Sequence, residues 1–192
     1  MIVILKYNAG NITSVKNAVE RLGFNGIISD DRSEILRAEK VIFPGVGEAG
    51  TAMAYLREKE LDSLIMALKQ PVLGICLGQQ LMCRHSEEGN TRCLGIFDAS
   101  VRKFPPAELV PHMGWNNLES AKGALFENVP LHEDLYFVHS YYAEICPQTS
   151  AVCDYILPFS AAMQKDNFYA TQFHPEKSAG AGERILRNFL AL

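Results

Sequence analysis

The run "GICLGQQ" (residues 74–80) sets a cysteine between two glycines where a strand-like segment meets a helix-like one. A strand ending in G-x-C-x-G and turning directly into a helix has the grammar of a nucleophile elbow, with cysteine in the place of serine. Small neighbours let strand and helix pack closely around a strained turn, so Cys76 is expected to stand clear of a sheet at a strand's C-terminal end. The first helical amides would face it there, a setting that activates thiols. The amide of Leu77, fixed by the turn, could donate to an oxyanion. Taken alone, these seven residues equally suit a buried core cysteine in an ordinary turn.

A thiol nucleophile needs a base within hydrogen-bond reach, and the base needs an acceptor to orient it. The stretch "TQFHPEKS" (171–178) offers both, with His174 and Glu176 two residues apart at the end of a β-rich run and Pro175 bending the chain between them. A surface histidine beside a loop proline is the plainer alternative. A third segment, "PGVG" (44–47), follows another strand-like run. Gly45 and Gly47 tolerate φ values that other residues avoid, so the peptide joining Gly45 to Val46 can rotate at small steric cost. An ordinary turn would use the same residues.

Short β-rich runs alternate with helical segments through the first half: "IVIL", a helix with Ile12, Val15, Val19 and Leu22 at helical spacing and Gly23 at its C-cap, "GIIS", "VIF" (41–43), a helical stretch "AMAYLREKELDSLIMAL" and "PVLGI". Such alternation predicts βαβ crossovers, an α/β fold with a mostly parallel central sheet and helices on both faces. After about residue 95 the rhythm changes. "VRKFPPAELVPHMGWN" reads as a proline-rich loop, and "LYFVHSYYAEI", "AVCDYI", "SAAMQ" and "FYATQF" read as short strands before a terminal helix, "GAGERILRNFLAL". An added antiparallel or mixed section on the same sheet is expected.

With 192 residues, one domain spanning 1–192 is expected. Eighteen basic and 22 acidic residues give a net charge of −4 with no basic block, which argues against nucleic acid as a partner. No run approaches the length of a membrane span, and the start reads as a buried strand, so a soluble cytoplasmic protein is expected. The five cysteines are odd in number, irregularly spaced and without C-x-x-C, suggesting neither disulfides nor a zinc site. The chemistry outlined needs no metal and no cofactor.

"GICLGQQ" together with "FHPE" resembles the class I, triad-type glutamine amidotransferases over nearly the whole chain. That resemblance implies a flavodoxin-like sheet carrying the site at its strand ends, with Cys76 as nucleophile, His174 as base and Glu176 as its partner. It also implies L-glutamine as substrate. "YNAGNITSV", "FPGVGEAG", "PHMGWN" and "FVHSYY" are similar to one branch, whose glutaminase pairs as a heterodimer with a cyclase subunit, a (β/α)8 barrel, and passes it ammonia. By that likeness Val46 supplies a second, gated oxyanion donor beside Leu77. Gly47, Gln80, Ser140 and Tyr141 hold the glutamine, and Trp115 anchors the partner with Asn11, Ser14, Tyr136 and Lys177 around it. Gln79 departs from the hydrophobic or small residue common at its position. A glutaminase serving another synthase, a silent interaction module and a peptidase on the related elbow fold remain alternatives.

Overall fold

The structure is a computed structural model and describes residues 1–8 and 10–192. Ala9, within the "YNAGNITSV" stretch, lies outside the described residues. The first half follows the expected alternation: β1 (Ile2–Leu5), α1 (Ile12–Arg21), β2 (Gly26–Ser29), α2 (Arg32–Arg37), β3 (Lys40–Phe43), α3 (Ala49–Glu58), α4 (Leu61–Ala67), β4 (Val72–Ile75) and α5 (Leu77–Met82). Two very short strands, β5 (His85–Ser86) and β6 (Thr91–Arg92), lead to β7 (Ser100–Lys103), β8 (His112–Asn116) and β9 (Ser120–Ala121). The chain closes with β10 (Leu135–His139), β11 (Tyr141–Ala143), β12 (Thr149–Tyr155), β13 (Leu157–Lys165), β14 (Phe168–Thr171) and α6 (Ala179–Ala191).

The central sheet runs β2-β1-β3-β4-β14-β13-β12-β9. Its first five strands are parallel and the rest antiparallel. Side chains alternate across it. Val3, Leu5, Val41, Phe43 and Val72 enter one apolar cluster with α3, α4 and α5, while Ile2, Ile4, Ile42, Leu73 and Ile75 enter another with α1 and α6. Burying each such side chain contributes roughly 1.5–3 kcal/mol, which makes these two layers the frame that carries the site.

Three local expectations are corrected. The helical stretch 52–68 is two helices, broken at Glu60, whose φ of 53° is left-handed without a glycine to announce it. A short helix, α2, lies where none was read; Asp31 caps it by accepting from the Glu34 amide. "PHMGWN" is not a loop: it forms β8, paired antiparallel with β10, and the register sets Trp115 opposite Tyr136. The added section also divides, since only β14, β13, β12 and β9 extend the main sheet. β8 and β10 form a separate ribbon, and β11-β7-β5-β6 form a third, small sheet.

Candidate active site

Cys76 sits where β4 becomes α5, at φ 54° and ψ −107°. A residue with a Cβ pays about 1–3 kcal/mol for such a conformation, which persists only where packing imposes it. The packing is visible at Gly78, where a Cβ would lie 1.9 Å from the Phe43 carbonyl oxygen. Only glycine lets α5 press against the end of β3. Gln79 is fully buried beneath the elbow and donates to the Ser160 carbonyl at 2.8 Å, tying α5 to β13.

β14 runs parallel to β4 with Thr171 opposite Ile75, and the Cys76 amide donates to the Thr171 carbonyl at 2.7 Å. His174 follows β14 and leads into a single 3-10 turn, Pro175–Lys177. That turn brings Glu176 back beneath the imidazole, and His174 Nδ1 donates to Glu176 Oε1 at 2.8 Å. Both side chains are essentially sealed from solvent, 1% and 0% exposed. Asn11 Nδ2 donates to the same carboxylate oxygen. Burial pulls the imidazole pKa down, but interaction with the Cys76 thiol and the Glu176 carboxylate more than reverses this and raises it to about 10. Nε2 is buried and completes no hydrogen bond among the described residues, so the thiol acts on it without a well-formed bond.

Cys76 opens onto a cleft of about 320 Å³ whose walls include Val46, Gly47, Leu77, Gln80, Ser140 and Tyr141. The structure therefore gathers around one cavity the residues expected to bind substrate and oxyanion. Gln80 is buried, with Nε2 donating to the Tyr141 carbonyl and to Gln172 Oε1, both at 2.9 Å. Its side-chain oxygen is the atom left to offer a ligand.

The loop after β3 is held at three successive carbonyls. Tyr7 Oη donates to Pro44 O at 2.5 Å, the Leu77 amide to Gly45 O at 3.2 Å, and the Gly10 amide to Val46 O at 3.2 Å. Leu77 is thus not the open donor the elbow alone suggests: the Gly45 carbonyl occupies its N–H. Gly45 itself lies so close to Tyr7 that a Cβ would be 2.1 Å from the phenol oxygen.

Three residues of this site escape sequence reasoning. Glu88 lines the cleft and accepts from the Ala49 amide at 2.9 Å. Burial raises its carboxyl pKa, the Ala49 bond opposes this, and Glu48 adds to the rise. Gln172 donates from Nε2 to Cys76 Sγ at 3.6 Å. His139 also lines the cleft. Gln172 and His139 lie inside the quoted runs "TQFHPEKS" and "FVHSYY", which were the available signal. Glu88 sits in an unremarkable acidic pair.

Of the expected partner-facing residues, Trp115 is 55% exposed and packs edge-on against Tyr136, ring centroids 5.7 Å apart. Lys177 Nζ lies 5.8 Å from the centroid of the Tyr136 ring. Ser14 is partly exposed on α1. Asn11 instead spends its side chain on Glu176, which draws it into the site.

The family model for "Glutamine amidotransferase class-I" matches residues 5–192. The chain is similar to the imidazole glycerol phosphate synthase subunit HisH of Bacteroides fragilis (strain YCH46), 58% identical over 100% of this chain and 99% of that protein. It is similar also to the HisH subunit of Escherichia coli (strain K12), 48% identical with the same coverage. Among solved structures it resembles a glutamine amidotransferase of Thermotoga maritima, with a TM-score of 0.68, 16% identity and coverage of 99% and 82%. That likeness speaks for the fold alone. No helix among the described residues is long and apolar enough to cross a membrane.

Proposed function

We infer that this chain, which belongs to the class-I glutamine amidotransferase family, is the glutaminase subunit of an imidazole glycerol phosphate synthase in histidine biosynthesis. It hydrolyses L-glutamine to glutamate and passes the ammonia to a cyclase subunit, a (β/α)8 barrel. There a phosphoribulosyl-formimino intermediate becomes imidazole glycerol phosphate and aminoimidazole carboxamide ribonucleotide. Residues 1–192 act as one glutaminase domain, in the cytoplasm. The observation that carries this reading is the alignment of Cys76, on its strained turn, with the sealed His174–Glu176 pair beside a cleft of amino-acid size.

The Cys76 thiol gives its proton to His174 as its sulfur attacks the side-chain amide carbon of glutamine, and the carbonyl π pair moves onto oxygen. As the tetrahedral adduct collapses, the C–N bond breaks and ammonia departs with the proton held by His174. Water then adds to the γ-glutamyl thioester, giving one proton to His174. The C–S bond breaks, and glutamate leaves. Glu176 keeps the imidazole oriented and supports its cationic form, as the raised pKa requires. The Glu88 carboxylate suits the ammonium group of the substrate, while Ser140 and Tyr141 form the wall for its amino-acid end.

Control falls to the loop. Rotating the Gly45–Val46 peptide would withdraw the Gly45 carbonyl from the Leu77 amide and turn the Val46 N–H inward, so a single motion would supply both oxyanion donors. The exposed Trp115, packed on the half-buried Tyr136 with Lys177 beside it, suits the cyclase contact. The test is to mix the chain with the cyclase and compare glutamate release from the chain alone, with the cyclase, and with the cyclase plus its ligand. Glutamine-dependent cyclisation with strong stimulation is expected; preference for γ-glutamyl peptides, or pairing with a different synthase, would sink the reading.

A further inference from the structure

Two buried histidines stand beside the cleft with no part in the chemistry above. The β8–β10 ribbon sets His112 opposite His139. His112 Nδ1 lies 3.0 Å from His139 Nε2, and His139 Nδ1 lies 2.7 Å from the Tyr141 carbonyl oxygen. A carbonyl oxygen can only accept, so His139 carries its proton on Nδ1. Its Nε2 is then an acceptor, which obliges His112 to donate from Nδ1. His112 Nε2 must accept in turn, and the side-chain nitrogen of Asn116 faces it at 3.4 Å. The orientation of that amide is set independently, because its nitrogen donates to the Asp154 carbonyl at 3.1 Å and its oxygen accepts from the Asn117 amide at 2.9 Å.

Acceptor-only carbonyls at the two ends thus dictate every proton between them. One tautomer is allowed for each ring, and a second proton on either would set two donors face to face. Both rings are accordingly neutral: burial brings His112 down to about 4 and, outweighing the Tyr141 bond, His139 down to about 3. His112 is also stacked between Tyr155 and Phe137, with ring centroids 4.0 and 4.9 Å away, which fixes its plane. At the cleft end the Tyr141 carbonyl takes a second bond from Gln80, and Gln80 continues through Gln172 to Cys76.

We propose that His112 and His139 are a tautomer-locked positioning pair that sets the Tyr141 carbonyl and, through it, the cleft wall that seats the amino-acid end of glutamine. This rests on the reading of the cleft as the glutamine site. His139 borders the cleft, but both its nitrogens are committed, so it acts through Tyr141 and not on the substrate.

His112→Phe keeps a ring in the stack and deletes the donor that fixes His139. In the assembled complex the KM for glutamine should rise about tenfold, as expected when one buried acceptor is left unpaired, with kcat changed by less than about twofold. Ammonia-dependent synthesis should be unchanged. His112→Gln, which can again donate toward His139, should return KM to within about threefold of the unaltered complex. An unchanged KM in His112→Phe overturns the proposal, as do equal rises in both variants, which would mark a packing role. Nitrogen-15 NMR of the unaltered full chain supplies a readout independent of any variant's folding. Nδ1–H tautomers at both rings are expected; an Nε2–H tautomer at His139 or a doubly protonated ring overturns the proposal. Should the unaltered complex release no glutamate from glutamine, it is the reading of the cleft that fails, and the tautomers still decide the fate of the pair.

Discussion

The elbow at Cys76 and the Pro44–Gly47 loop border the same cleft, yet they are secured by different means. The elbow is locked by backbone contact: the Cys76 amide is bonded to Thr171, Gly78 lies against the Phe43 carbonyl, and the whole of α5 is buried. Among the described residues the loop is held by three single hydrogen bonds, one to each of its carbonyls from Pro44 to Val46. Moving the elbow would mean dismantling two core layers, whereas moving the central peptide of the loop needs only the Leu77–Gly45 bond to yield. A net hydrogen bond of this kind is worth about 0.5–1.5 kcal/mol. The proposed nucleophile is therefore placed permanently, and the groups proposed to stabilise its transition state are placed reversibly.

Breaking the elbow's chemistry should have the largest effect. Cys76→Ala should lower glutamine-dependent synthesis by a factor on the order of 10⁴ or more while ammonia-dependent synthesis by the complex persists; retained glutamine turnover would remove Cys76 as the nucleophile. Breaking the loop should cost less and in a different currency. Val46→Pro deletes the N–H, and the ligand-stimulated rate should fall by about 10²–10³ with alkylation of Cys76 still possible. Full stimulation in a verified complex would show that the donor lies elsewhere.

The contrast in rigidity can be read by denaturation. Gly78→Ala meets backbone and should lower the unfolding free energy by about 3 kcal/mol. Gly45→Ala meets side chains, the Tyr7 phenol oxygen first and the Leu77 Cβ at 3.0 Å, so adding Tyr7→Phe should recover part of its loss. Equal, unrelieved losses at both glycines would erase the distinction. Trp115→Ala should weaken association by about 2 kcal/mol, measured by titration calorimetry, with little change in the Tm of the isolated chain; the reverse pattern would make Trp115 a core residue.

The smallest effect is on acid stability. His112 and His139 stay neutral in the fold down to about 4 and 3, below the ordinary value of 6.5, so the unfolded chain takes up protons first. Their contribution is present in full above 6.5 and is lost as pH falls toward 4 for His112 and toward 3 for His139. Urea midpoints followed between about pH 7.5 and 4.5 should decline less steeply in His112→Phe.

Local grammar made much of this readable in the chain. The alternation of apolar runs announced the parallel sheet, and two short motifs announced Cys76, His174 and Glu176, because elbow and turn are built from neighbouring residues. What stayed hidden depends on partners far along the chain. β8 looks like a loop by composition, with Pro111 at its start and Gly114 within, and becomes a strand only because β10 pairs with it. The roles of His112 and His139 exist only in that pairing. Glu88 reaches the cleft through a turn that carries no signature, and the Leu77 amide is occupied by a carbonyl more than thirty residues earlier in the chain.

One further consequence follows from β4 and β14 being adjacent and parallel. The proposed nucleophile and its proposed base each lie just beyond the end of one of these strands, and neighbouring strands lie about 4.8 Å apart whatever the connections between them. The spacing of the two strand ends is thus inherited from the repeat of the sheet, and only Gln172 and Phe173 carry the chain on from β14 to His174. Nearly a hundred residues separate Cys76 from His174 along the chain, and the surface connections within that length that do not line the cleft could be lengthened, trimmed or rewritten for a different partner without resetting this spacing. The ladder serves as a ruler, and every surface feature that confers partnership is free to diverge around it.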